Sequence, residues 1–103
     1  MITLKEIKKL YPNFFASYSE SKYSKNVDRE LIDRICDFMD INRCSVGVNT
    51  IKLTEGGELF YPVLRVGDQP MELFQMNRFR SFRDAKALGV EKALAKFEFG
   101  DYN

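Results

Sequence analysis

The residue types that could do chemistry in this chain gather in one place. Arg78, Arg80, Arg83 and Lys86 fall together in the stretch FQMNRFRSFRDAKALG, around what reads as the start of a helix. A helix N-terminus presents free N–H groups and a partial positive charge, so cations beside it make an anion site physically reasonable. Alternation in an extended segment would put Arg78 and Arg80 on one side and Phe79 on the other, giving a coherent basic strip. These four are the candidate anion- or partner-binding residues. The competing expectation is that Arg83 and Lys86 pair with acids such as Asp84, which makes the cluster the solvated shoulder of a structural element.

Elsewhere the repertoire is thin. The chain contains no histidine, which removes the usual partner for a metal-bound or activated Cys36 or Cys44. Both cysteines are expected to be reduced, small buried hydrophobes. Asp37 and Asp40, at i and i+3 in DFMD, could bracket a cation, but a solvated helix face accounts for them. No glycine-rich phosphate loop, nucleophile elbow or paired metal-ligand motif occurs. We therefore expect no catalytic residues, cofactor or metal, and a protein that is not an enzyme. The aromatics of YPNFFASYSESKY, interleaved with Lys22 and Lys25, could stack single-stranded bases. Their helical spacing favours core packing, an argument from which only Tyr23 escapes.

Bulk properties limit what such a cluster can do. Sixteen basic and fifteen acidic residues leave a net charge of +1 over 103 residues. No global field draws the protein to nucleic acid or to an anionic membrane. No segment approaches the roughly 20 apolar residues of a membrane span, and the N-terminus lacks a signal-peptide core. A single cytoplasmic domain over residues 1–103 is expected.

The elements that position the candidates follow from pattern. Thr3 and Glu6 have capping-box spacing. The helix they start should break at Tyr11-Pro12 and resume, because Tyr11, Phe14, Phe15 and Tyr18 recur at helical intervals. SYSESKYSKN reads as an exposed, mobile connection. Val27, Leu31, Ile32, Ile35, Phe38 and Met39 share one face of an amphipathic helix over Val27–Asp40, capped by Asn26. Val46 and Val48 alternate in one phase, Ile51 and Leu53 in the other. That predicts a strand with a bulge near Asn49, or one buried on both faces. Gly56-Gly57 supplies a hairpin turn. LFYPVLRV returns as a strand, with Pro62 at an edge or an irregularity, and MELFQMNRF forms a third. Ser81 and Asp84 start a last helix from about Phe82 to about Phe97, in which Ala85, Gly89 and Ala93 permit close approach to the sheet. The fold class is α+β: N-terminal helices, a three-stranded antiparallel meander, and a C-terminal helix packed on it.

The order helix, three strands, helix, with SFRDAKALGVEKAL at its end, resembles the end of a double-stranded RNA-binding domain. That resemblance implies that Arg83 and Lys86 are phosphate ligands. Phe82 stands where that family has a lysine, and the hairpin is acidic, with Glu55 and Glu58 around Gly56-Gly57. The same segment is similar to the tail of small bacterial phage and mobile-element proteins, with Phe82, Ala85, Gly89, Val90, Ala93 and Leu94 at matching positions. That likeness implies a short α+β domain of unassigned role and no functional residue. The first expectation is a protein-interaction module whose partner is another protein, with a homo-oligomer left open. The alternative is a nucleic-acid-binding domain using the basic strip.

Overall fold

A computed structural model describes residues 2–100. Helix α1 spans Leu4–Leu10 and carries the reciprocal capping box: Glu6 N–H donates to Thr3 Oγ1 (3.2 Å), and Thr3 N–H donates to Glu6 Oε1 (3.1 Å). The Thr3 backbone and hydroxyl donors hold the Glu6 carboxyl below its ordinary pKa. Helix α2, Pro12–Glu20, restarts with proline in its first turn, where the missing N–H costs nothing. The Tyr11 N-cap offers no side-chain hydrogen bond. The carboxylate of Glu98 takes its place, accepting from Asn13 N–H (3.1 Å) and Phe14 N–H (2.9 Å).

Two expectations for the next segment need correction. The serine-rich stretch is not a loose connection: its first four residues belong to α2, and Lys22–Lys25 is a 3-10 turn. Serine hydroxyls hold it, Ser21 Oγ donating to Tyr18 O (2.6 Å) and Ser24 Oγ to Ser21 O (2.8 Å). Small hydroxyl side chains bond local carbonyls as readily as they solvate a loop. Nor does the third helix start at Val27 under an Asn26 cap. Helix α3 spans Leu31–Ile41, with Glu30 as an extended N-cap, and Val27 is 81% exposed. Leu31, Ile32, Ile35, Phe38 and Met39 already complete the buried stripe, so nothing draws Val27 inward.

Strands β1 (Cys44–Lys52), β2 (Glu58–Val66) and β3 (Glu72–Leu73) form an antiparallel sheet in the order β1-β2-β3. The β1–β2 register runs unbroken from Cys44 opposite Val66 to Lys52 opposite Glu58, so no bulge occurs at Asn49. The phase change reflects two apolar faces instead. Val46 and Val48 point to the helices with Leu64 and Pro62, while Ile51 lies opposite Leu59 on the other side. Gly56 and Gly57 both have positive φ, as the hairpin requires.

The third strand is much shorter than the sequence suggests, and Pro62 explains why. Pro62 sits in the central strand with its carbonyl accepting from Phe74 N–H (3.1 Å). Backbone N–H and C=O of one strand residue point to the same neighbour, so the donor that proline lacks is the one β3 would need next. Pairing stops there. The chain turns at Asn77, whose N–H donates to Phe74 O, and rejoins only at Phe79, which exchanges two hydrogen bonds with Phe60 (2.7 and 2.8 Å).

Helix α4, Phe82–Phe99, opens on the Ser81 cap and closes at Gly100 in the left-handed region. It crosses β1 and β2 at Gly89, where an added Cβ would lie 2.7 Å from Val46 Cγ1 and 3.2 Å from Pro62 Cβ. All four helices share one core. Phe14 stacks on Tyr18 (5.6 Å between ring centroids) and meets Phe38 and Phe97 edge-on (5.5 and 5.3 Å). Cys44, Leu64 and Val66 join this cluster from the sheet face beneath. The aromatic run near the N-terminus is therefore mainly core, and Tyr23 too is half-buried, edge-on to Phe38. Among the described residues no helix is long and apolar enough to cross a membrane.

Candidate functional site

The four basic candidates do not form one strip. Arg83 and Lys86 lie on the flank of α4 that faces the start of α3. Arg83 is paired with Glu30 and lies 3.7 Å from Asp33, and Lys86 Nζ is 3.0 Å from the same Asp33 carboxylate. Their partners are thus acids of α3 and its N-cap rather than Asp84. Lys86 and Asp33 are each 24% exposed, so this small network is partly shielded from water. Arg78 turns back onto its own loop, donating from Nε to Gln75 O (2.9 Å). Arg80 is exposed beyond the Phe79 bridge. Two of the four cations are neutralised in place, and the other two flank a single bridge rather than a strand. A phosphate approaching Arg83 would have to displace two carboxylates.

The remaining candidates are also accounted for. Arg29 reaches the Asp37 carboxylate (3.1 Å), and Asp40 is exposed at the end of α3. Among the described residues no three His, Cys, Asp or Glu side chains gather where a cation could be held. Cys44 is buried and Cys36 half-buried, and among the described residues neither forms a disulfide. Burial pushes the Cys36 thiol up to about 11, a shift that Lys86 opposes and Asp40, Asp33 and Asp37 reinforce. A thiol so rarely ionised near neutral pH is a poor nucleophile. The Tyr18 hydroxyl, also raised in pKa by burial, lies within the core beside Arg34 and has no hydrogen-bond partner among the described residues.

What pattern-reading did not single out is the exposed backbone of β1. β2 and β3 occupy one side of the sheet, leaving β1 at the other edge. Because Pro62 directs its carbonyl to β3, its register partner Val48 directs its own N–H and C=O away from β2. Thr50 and Lys52, two and four residues on, do the same. No hydrogen bond of the described residues reaches these outward groups. The strand has no proline, no bulge and only Lys52 as an outward charge, so it lacks most devices that protect an edge. The sheet face away from the helices adds Ile51, Leu59, Tyr61 and Val63, with Asn49 Nδ2 donating to the Tyr61 hydroxyl (3.3 Å). The signal was present in the sequence as the two-phase pattern of β1, but its edge position depends on the strand order.

Comparison of the chain with family models, with curated proteins and with solved structures finds no match.

Proposed function

We propose that the chain is a non-enzymatic protein-interaction module that takes up an extended segment of another protein along β1. The unsatisfied outer edge of that strand carries this reading. Backbone groups at Val48, Thr50 and Lys52 would supply hydrogen bonds to an added strand, and alternate side chains would supply selectivity. Ile51, half-buried on the sheet face away from the helices, would lie beside such a strand. An accessory role of the phage or mobile-element kind belongs to the same proposal and rests on the C-terminal helix pattern alone, and a cytoplasmic location belongs to it because no described helix is long and apolar enough to cross a membrane. Nucleic-acid binding at Arg78, Arg80, Arg83 and Lys86 is the weaker reading, because Arg83 and Lys86 already hold carboxylates.

The test uses Thr50→Pro, which removes one outward donor without touching the β1–β2 ladder. Affinity capture should retain a partner on the wild-type protein and lose it on the variant. The amides of Val48, Thr50 and Lys52 should become protected from hydrogen exchange in the wild-type complex. A partner held equally well by Thr50→Pro would refute strand addition. Saturable micromolar binding of labelled oligonucleotides, abolished by changing Arg78, Arg80 and Arg83 to alanine, would install nucleic acid in its place.

A further inference from the structure

The side chains of β1 bear on which strand its bare edge accepts. Val46 keeps the same phase of the unbroken β1–β2 ladder as Val48, Thr50 and Lys52, so its backbone N–H and C=O also point outward. Between these residues, Ser45, Gly47, Asn49 and Ile51 alternate onto the sheet face away from the helices. Ser45 and Asn49 are exposed, and Gly47 and Ile51 are half-buried. Gly47 leaves a notch in this row. Val63 walls it on the inner side, its Cγ2 lying 3.0 Å from where a Cβ on Gly47 would be.

Laid antiparallel to itself about Asn49, the strand is its own complement. Val48 then faces Thr50 of a second copy and Val46 faces Lys52 of that copy. The outward N–H and C=O groups of these residues exchange hydrogen bonds, and each pair occurs twice about the axis. Between them Asn49 meets Asn49 of the second copy, amide to amide. Ile51 meets the other Gly47, so its side chain enters the notch against Val63. Sliding the register by two residues either way would set Ile51 against Ser45 or against Asn49, a polar side chain in both cases. Lys52, the one charge on β1, decides the direction. A parallel, in-register pair would hold the two ammoniums about 5 Å apart, whereas the antiparallel pair holds them about 20 Å apart, beyond the screening length of physiological salt. We infer that two copies of this chain pair β1 to β1, antiparallel about Asn49, into one sheet with three strands from each. The inference rests on the reading of β1 as an acceptor edge, and names a second copy as the strand it accepts when no other protein is bound. Self-pairing covers an edge that has neither proline nor bulge to protect it, and a partner must compete for it.

Sedimentation equilibrium across about 10 µM to about 1 mM tests the pairing. The wild-type mass should climb from the 12.0 kDa of one chain towards twice that value. Asn49→Lys and Asn49→Asp each change an exposed residue on the axis, setting like charges directly opposite one another. Each should weaken self-association about tenfold or more. Mixed in equal amounts, the two variants oppose lysine to aspartate and should associate to within about threefold of the wild type, a rescue that only pairing at Asn49 predicts. Thr50→Pro removes the donor that faces Val48 of the other copy and should weaken self-association at least about tenfold. Circular dichroism and melting curves check that each variant is folded, and the two Asn49 variants decide the matter even where Thr50→Pro does not fold. A wild-type protein that stays at 12.0 kDa throughout overturns the inference. That result leaves strand addition by a different protein standing, since its measure is capture by the wild-type protein and loss of capture in Thr50→Pro. A dimer indifferent to the Asn49 substitutions or to a folded Thr50→Pro overturns the inference equally, as do two Asn49 variants that fail to associate when mixed.

Discussion

Replacing Gly89 with alanine sets two effects of similar size against each other. In the interior of a helix, alanine is favoured over glycine by about 1 kcal/mol. Against that, the new methyl would lie 2.7 Å from Val46 Cγ1 and 3.2 Å from Pro62 Cβ, where carbon atoms normally rest at about 3.5 to 4.0 Å. Val46 and Pro62 lie on β1 and β2, so the helix must lift from both strands, and neither contacting atom is the tip of a flexible chain. Overpacking of this kind costs about 1 to 3 kcal/mol. The net expectation is a loss of up to about 2 kcal/mol, seen as a lower melting temperature by roughly 4 to 8 °C per kcal/mol. Leucine, which adds bulk without relieving the contact, should cost more than alanine.

A double-mutant cycle isolates the contact. Val46→Ala alone should destabilise by removing buried methyl groups, by about 1 to 3 kcal/mol. Combined with Gly89→Ala, it removes the clashing atom, so the pair should be more stable than the sum of the single losses by about 1 kcal/mol. Urea denaturation of the four proteins gives the cycle directly. A Gly89→Ala protein that melts about 4 °C or more above the wild type would show that the helix does not rest on the sheet at this residue. Strict additivity with Val46→Ala would show the same.

Three further measurements follow from the geometry. Glu98→Ala should cost about 1 to 2 kcal/mol by urea denaturation, because it strips the two acceptors that cap α2 from Asn13 and Phe14; a loss below about 0.3 kcal/mol would mean that water caps the helix as well. Tyr18→Phe should leave stability unchanged or raise it by up to about 1 kcal/mol, since it deletes a buried hydroxyl with no partner among the described residues; a loss above about 1 kcal/mol would reveal a partner for that oxygen. At pH 8, Cys36 with its pKa near 11 holds a thiolate fraction roughly 200-fold below that of a free thiol near 8.5, and the greater nucleophilicity of a basic thiolate recovers only about tenfold. Labelling should therefore run at least about tenfold slower than in the unfolded chain. The neutral thiol is favoured by folding, so its contribution is whole below the ordinary cysteine pKa and fades as pH rises towards 11.

The parts of the fold legible in the sequence are those whose cause is local. The Thr3 and Glu6 box, the break at Tyr11-Pro12, the Gly56-Gly57 turn and the Ser81 cap each depend on residues within one turn of each other. Gly89 can be placed against the sheet because a helix interior tolerates glycine at a cost that close packing justifies. The features that pattern misplaces share the opposite property. Periodicity alone draws Val27 into α3, although whether it is buried depends on what α2 and the 3-10 turn already cover. Pro62 sets the length of β3 from about ten residues upstream on a neighbouring strand, and its absent donor acts only after the two segments meet.

The same distinction governs the candidate site. Arg83 and Lys86 are visible in the sequence as cations at a helix start, and what neutralises them is not, because Glu30 and Asp33 lie at the head of another helix, 53 residues away. The pairing also explains why two cations can occupy the first turns of α4, where the helix dipole opposes them. Asp33 offsets that opposition for both at once, and its side chain is only 24% exposed. Asp33→Asn therefore supplies the last prediction. It should free Lys86 and loosen Arg83, with a loss of stability of about 1 kcal/mol that shrinks as salt is added. It should also raise the affinity of the protein for oligonucleotides if the cluster is a phosphate grip held in check by α3. If the cluster joins α3 to α4 and nothing more, oligonucleotide binding stays negligible while the melting temperature falls. We expect the second result. A gain of saturable binding in Asp33→Asn, lost again on adding Arg83→Ala, would refute it.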